Sequence, residues 1–297
     1  MYKNMILAGI ALLCVACSNE SELTVSSEKV ETPVTVSVSN FSMSVDEFQN
    51  AGTRTRAAQD LADYANVRAL TLAFYKSDGT ESYKSTQLRA DASTYETFGE
   101  FSTSLSMGSY TMVVIGYAGT SPFTLTSATL ATCTDTRLQD TFVATQAVNI
   151  TGNSAVNLTA ELDRVVSRLG IVSTDHRTSD AAKVRMTFTG GGRIFNPSTG
   201  LASTNTGFDN TLTFVEAVGA TTSSASFLFL ASDEQTMDVT IETLDADDNV
   251  LFSETVNNVP FKRNRTTVLT GKLFTAGVSA GSFTINTDWL SNHNMDF

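Results

Sequence analysis

Histidine is nearly missing from this chain: 297 residues hold two His, three Cys and one Trp. That leaves little for zinc binding or for imidazole-based proton transfer. Basic residues are also scarce, with 19 Lys+Arg against 31 Asp+Glu and a net charge of −12. Phosphate backbones and anionic lipid faces need clustered cations, so neither nucleic acid nor an anionic membrane face is expected as a partner. No apolar run reaches the roughly 20 residues that span a bilayer as a helix. Only four prolines interrupt the chain. What remains is 41% hydrophobic and 17% charged, a globular balance. The chain is rich in Thr, Ser and Val and carries 18 Phe, which favours strands over helices. The reading is a β-rich, non-enzymatic protein that calls for no cofactor and no metal.

The first segment reads as an address. Lys3 precedes an apolar run over residues 5–15, too short for a membrane span and suited to a secretory signal. The run ends Cys14-Val15-Ala16-Cys17-Ser18 and then turns polar. A small residue followed by Cys resembles the lipobox of bacterial lipoproteins, which implies a signal peptide over 1–16 and lipidation of Cys17. Cys14 is the poorer acceptor, because bulky Leu13 would precede the cut. Several acyl chains anchor stably where one is marginal. Removing residues 1–16 from 297 leaves 281, enough for two domains at roughly 150 residues each. Residues 17–32 are Ser/Glu-rich and aperiodic, a flexible tether. Cys133 then remains without a disulfide partner in its own chain, and reads as a small buried or loop residue.

Period-two alternation carries the fold prediction. Val34, Val36 and Val38 alternate with polar residues, and Phe41, Met43 and Val45 alternate in the opposite parity. A slip of one residue near Asn40, by a bulge or turn, would reconcile the two. Residues 49–60, with Arg54 and Arg56, read as an exposed loop, and 61–67 as a helical turn. Lys76-Ser77-Asp78-Gly79 is a hairpin signal after the strand of Leu70, Leu72 and Phe74. Residues 110–117 are apolar on both faces, which predicts a central strand. The Thr-rich stretch 121–140 reads as irregular with a short helix, and 142–150 and 155–162 as strands. In the second half, strands are predicted over 165–172, 184–189, 212–215, 227–230, 239–244, 250–255 and 268–274. Residues 190–208, rich in Gly, Ser, Thr and Asn, read as a long surface loop. Many short strands separated by turns indicate β-sandwiches, one over 33–163 and one over 164–297.

Chemistry-bearing motifs fail on inspection. Asp245, Asp247, Asp248 and Asn249 begin like a calcium loop, but Val250 stands where Gly must turn and Val256 where Glu must ligate. A solvated hairpin is the better reading. Gly190-Gly191-Gly192-Arg193 lacks the Lys-Ser/Thr of a phosphate loop. His176 beside Asp175 has no Ser or Cys motif for company, and His293 lies in the tail. Lys262, Arg263 and Arg265 form the one basic cluster, read as a guard against edge pairing.

Four motifs in order carry a resemblance. They are Ala69-Leu70-Thr71-Leu72-Ala73-Phe74-Tyr75-Lys76-Ser77-Asp78-Gly79, Gly108-Ser109-Tyr110-Thr111-Met112-Val113-Val114, Leu162-Asp163-Arg164-Val165-Val166-Ser167-Arg168, and residues 259–271 from Val259-Pro260-Phe261 to Thr270-Gly271. With the lipobox they resemble the fimbrillin superfamily of Bacteroidetes, the subunits of type V pili, from Cys17 to about Asp288. The resemblance implies two tandem transthyretin-like Greek-key β-sandwich domains and export as a surface lipoprotein of the outer membrane. It implies an Arg-specific cut that frees an N-terminal strand, whose groove a strand of another subunit fills. Here Arg54 and Arg56 are the candidate cut sites, and Val34, Val36, Val38, Phe41, Met43 and Val45 mark the removable strand. Phe283, Ile285 and Trp289, within 281–289, are either donor side chains or part of their own domain's core. The expected partners are other fimbrial subunits through β-strand addition, the outer membrane through the lipid, and a host or bacterial surface ligand. Stalk, tip and anchor roles stay open. The alternative is a surface glycan-binding lipoprotein, disfavoured because the only Trp lies in the tail.

Overall fold

The computed structural model describes residues 31–44, 56–61, 65–275 and 283–286. These residues form strands joined by turns, with one 3-10 turn at Ala92–Thr94 and no α-helix among them. The first half contributes β1 (Glu31–Ser44), β2 (Arg56–Asp60), β3 (Ala69–Lys76), β4 (Glu81–Leu88), β5 (Glu100–Ser106), β6 (Gly108–Tyr117), β7 (Thr124–Ser127), β8 (Leu130–Thr132), β9 (Thr141–Ile150) and β10 (Val156–Arg164). The second half contributes β11 (Ser167–Ser173), β12 (Lys183–Phe188), β13 (Ile194–Asn196), β14 (Leu201–Ala202), β15 (Phe208–Thr213), β16 (Ser223–Leu228), β17 (Glu234–Leu244), β18 (Val250–Lys262), β19 (Thr266–Gly271) and β20 (Thr284–Asn286).

An eight-stranded sheet runs β2-β1-β10-β9-β6-β3-β4, with β5 also on β1. β9 and β10 share only the pairs Val143–Asp163 and Phe142–Arg164, so the sheet bends there into two arms. The arms enclose one core. Val34, Val36 and Phe41 of β1 meet Leu70, Leu72 and Phe74 of β3 and Met112 and Val114 of β6 in it. Phe41 and Phe142 meet edge-on at 4.8 Å, an arrangement that suits the ring quadrupoles. The open seam between the arms is bridged by Gln87 of β4, which donates to the Glu100 carbonyl at 2.6 Å and accepts from the Gly99 amide at 2.7 Å. Gly99 has φ +95, and a Cβ there would stand 2.1 Å from Leu61 Cδ2, so only glycine fits.

In the second half the sheets β16-β11-β19-β20 and β15-β12-β17-β18 enclose a second core of Leu169, Ile171, Val184, Met186, Val239, Ile241, Leu269 and their neighbours. A fourth sheet, β14-β13-β8-β7, joins strands of both halves. It covers a third core of Tyr75, Ile115, Tyr117, Phe123, Val165, Phe195 and Phe229. That core explains why β3 and β6 are apolar on both faces: one face looks into the first core and the other into this junction.

Three sequence expectations are corrected here. Residues 121–140 contain the hairpin β7–β8 and no helix; Phe123 and Leu125, two apart, turn to the same core in strand period. Residues 190–208 are not a surface loop, for β13 and β14 lie within them and Phe195 is fully buried, stacked on Phe229 at 4.3 Å. The polar composition misleads because its glycines serve close backbone approach: a Cβ on Gly191, φ +69, would come 2.8 Å from the Phe229 carbonyl oxygen. Residues 56–60 form β2 rather than loop, drawn into the ladder by the far end of β1. Of the helical turn expected over 61–67, residues 62–64 lie outside the described residues; Leu61 and residues 65–66 are in turns.

Candidate functional site: the β1 groove and the β20 edge

β1 is held on both of its edges. On one side it runs parallel to β10, from Val34–Val156 to Ser42–Asp163. On the other its first part pairs antiparallel with β5, from Glu31–Ser106 to Ser37–Glu100, and its last part with β2, from Asn40–Asp60 to Ser44–Arg56. The ladder to β10 slips between Val38 and Asn40, the parity change expected near Asn40. The slip turns Phe41 to the same core as Val34, Val36 and Val38, and all four are at most 6% exposed. The Val38 amide donates to the Gly99 carbonyl at 2.9 Å, and Thr32 Oγ1 donates to the Gly152 carbonyl at 2.5 Å. Met43 belongs to β1 and is opposite Ala57. Val45 and Arg54 lie outside the described residues, as does Cys17. Arg56 is the first residue of β2.

Among the described residues β20 has a ladder to β19. It pairs antiparallel with β19 through Thr270–Thr284, Leu269–Ile285 and Val268–Asn286. Phe283 and Ile285 are partly buried against the second core, and the Phe283 ring lies where a side chain on Gly271 would be. In this structure these two side chains therefore pack on their own chain. Trp289 and His293 lie outside the described residues.

Asp175 fixes where this last segment begins. Its carboxylate accepts from the amides of Leu273, Phe274 and Thr275 at 2.8, 3.0 and 2.8 Å and from Thr275 Oγ1 at 2.8 Å. Burial works to raise this carboxyl, but the hydrogen bonds to its ionised form outweigh that and hold it below the usual carboxylate range. The sequence suggested only a comparison with His176, which is exposed while the Asp175 carboxylate serves the backbone.

The remaining motifs take structural places. Asp245 accepts from the amides of Asp247 and Asn249, each at 2.9 Å, and so closes the β17–β18 turn from within. Among the described residues no three His, Cys, Asp or Glu side chains gather as a metal site. Lys262 and Arg263, where the outer strand β18 ends, pair with Glu234 and Asp233 at 2.6 and 2.8 Å. Glu254 of β18 is opposite Ile241, hence on the core side of an outer strand, and burial pushes its carboxyl up. An inward carboxyl on such a strand opposes pairing with another chain. Cys133 is half-buried, with Tyr117 Oη 3.4 Å from its Sγ. Burial first, and then Cys133, raises the Tyr117 phenol far above its ordinary value.

Residues 162–168 take their role only in space. Arg164 donates to both Asp140 oxygens, at 2.9 and 2.7 Å, and Val165 and Val166 are buried in the junction core. Arg168 lies over the Phe227 ring at 5.9 Å.

These features define an all-β sandwich protein with an N-terminal strand set inside its first sheet. A candidate adhesin from Bacteroides ovatus has the same fold, at a TM-score of 0.52 and 11% identity over 90% of this chain and 97% of that one. The fimbrial anchor protein Mfa2 from Porphyromonas gingivalis aligns at a TM-score of 0.47 and 10% identity, over 89% of this chain and 100% of its own. A fimbrial assembly protein from Parabacteroides distasonis aligns at 0.41 and 12%, over 86% and 96%. The chain belongs to a family described as of unknown function, DUF6562, whose model matches residues 31–296. No curated protein matches it.

Proposed function

We propose that the protein is a structural subunit of a cell-surface fimbria, assembled by β-strand exchange and contributing to adhesion. One observation carries the reading: β1 comes from the start of the chain yet sits inside a sheet, paired on both edges, with its apolar side chains in the core. Its withdrawal would leave two unpaired ladder edges around a row of apolar pockets, the substrate for β-strand addition. Each buried Val or Phe returned to such pockets is worth about 1.5–3 kcal/mol. Phe283 and Ile285, carried on a short strand with one ladder, are the donor side chains in this reading, exchanged from their own chain to the next. Residues 33–163 and 164–297 are its two domains, and Cys17 carries the lipid that holds the precursor at the outer membrane. Its partners are other fimbrial subunits, with a host or bacterial surface molecule as adhesive ligand.

The test is to treat the purified exported chain with an Arg-specific protease and follow its size by chromatography. A cut after Arg54 or Arg56 followed by a ladder of oligomers is expected, and Arg54→Ala with Arg56→Ala should abolish both. Clean cutting with a product that stays monomeric overturns strand exchange. In cells, Cys17→Ala should lose acyl labelling, and unchanged labelling would remove the lipid from the reading.

A further inference from the structure

β5 stands outside the continuous order of the first sheet. Among the described residues its only ladder is to β1, from Glu31–Ser106 to Ser37–Glu100. β10, on the opposite edge of β1, continues to β9 and so is held from both sides. β5 therefore covers one edge of β1 without being part of a longer ladder itself.

Its two ends are fixed differently. At one end Met107 alone separates β5 from β6. Gly108 there has φ +153, and a Cβ on it would meet nothing nearer than the Tyr110 ring at 3.7 Å. Tyr110 Oη donates to the Ser106 carbonyl at 2.8 Å. This end is a short, tied corner with a glycine at its bend. At the other end the chain arrives from β4 through residues 89–99, of which 90–94, 96 and 97 are exposed.

Side chains, not a ladder, fasten that second end to the opposite arm of the sheet. Gln87 of β4 is 4% exposed and acts as a peptide group of a neighbouring strand would, donating to the Glu100 carbonyl and accepting from the Gly99 amide. Arg89, just after β4, donates to the carbonyls of Val67 and Leu61 at 2.9 and 3.4 Å and lies 4.1 Å from the centre of the Phe98 ring. These contacts gather where β1 changes partner, its pairing with β5 ending at Ser37 and that with β2 beginning at Asn40.

β5 is also lightly anchored in the core. It contributes Phe101 and Leu105, whereas β1 contributes Val34, Val36, Val38 and Phe41. Glu100, Ser102 and Ser104 of β5 are exposed. Less apolar surface is uncovered when β5 separates than when β1 leaves, so β5 is the strand to open first. Swung out on its Met107–Gly108 corner, β5 would bare the ladder groups of residues 31–37 and turn β1 from an interior strand into an edge strand.

We propose that β5 is a flap over β1, hinged at Met107–Gly108 and clasped by Gln87, and that the clasp governs how readily β1 is replaced. The flap stands on the intact chain alone; its use as a gate rests on the fimbrial reading.

Amide-resolved hydrogen exchange on the uncut, exported chain tests the flap. In the parent protein the β5 amides that donate to β1 should exchange through an opening that β6 and β9 do not share. Gln87→Leu should lower their protection about tenfold while β6 and β9 keep parental values. Parental β5 amides that exchange only together with β6 and β9 overturn the flap, whether or not the variant folds. Equal loss over all three strands in the variant, or no loss, overturns the clasp. In a second arm both proteins are cut with the Arg-specific protease and given a labelled synthetic peptide of residues 31–44. The variant should take it up about tenfold faster than the parent. Equal rates overturn the gate. No uptake by either cut protein, beside the exchange pattern of a flap, overturns strand exchange and the gate together and leaves the flap standing.

Discussion

β1 and β20 are the first and last strands described, and they are held in opposite ways. β1 has 14 residues and a ladder on each edge, while β20 has 3 residues and a ladder on one. Val34, Val36 and Phe41 are at most 1% exposed; Phe283 and Ile285 are only partly buried. Removing β1 therefore opens a slot, whereas removing β20 uncovers an edge. Under the proposed function this contrast has a use: a strand freed by an irreversible cut can be held tightly beforehand, whereas one that moved between copies would have to be held loosely in its own.

Perturbing the tight side should have the largest effect. Phe41→Ala leaves a cavity between the two arms against Phe142, and should cost about 3–5 kcal/mol in chemical denaturation, with the loss felt in the first core. A loss below about 1 kcal/mol would mean that β1 is not integral to that core. Ile285→Ala should cost far less, roughly 1 kcal/mol, since its side chain is only partly covered. If the two variants destabilise equally, the contrast between the strands fails.

The smallest effect sharpens the comparison at the root of β20. Because the Asp175 carboxyl titrates below its unfolded value of about 3.9, its stabilisation is complete above that pH and is lost as pH falls through the lower folded value. The protection of the amides of Leu273, Phe274 and Thr275 against hydrogen exchange, taken relative to the intrinsic rate at each pH, should fall in acid in the wild-type protein. Asp175→Asn should raise exchange there at neutral pH and flatten its acid dependence. Equal acid sensitivity in both proteins would assign the effect to another group.

Local pattern made part of this legible. The parity change after Val38 gave the irregularity near Asn40, because a strand alternates with period two and a core tolerates no slip. Gly79, with φ +85, and Asp245, with its carboxylate turned to the backbone, gave the two hairpins. Pairings distant in sequence were hidden. Nothing in Val34–Val38 announces a parallel partner at Val156–Ala160, nor in Arg168–Ser173 one at Thr266–Gly271. The junction is hidden by composition: a stretch rich in Gly, Ser and Asn has the make-up of a solvated loop, yet its glycines let Phe195 and Phe229 stack. β2 was hidden because Arg-Ala-Ala-Gln-Asp has no apolar alternation, and its place depends on the ladder of β1.

The two ladders of β1 also have a mechanical meaning. A pull applied at Glu31 acts along the strand, across the direction of the bonds to β5 and close to across those to β10. Such a load is a shear that many bonds share at once. β20, paired through three residues on one side, offers far fewer bonds to any load at its end. A fibre built by placing a donor strand in the β1 position would inherit the stronger arrangement at every joint, and would resist tension along its axis while its free subunits still exchange their tails.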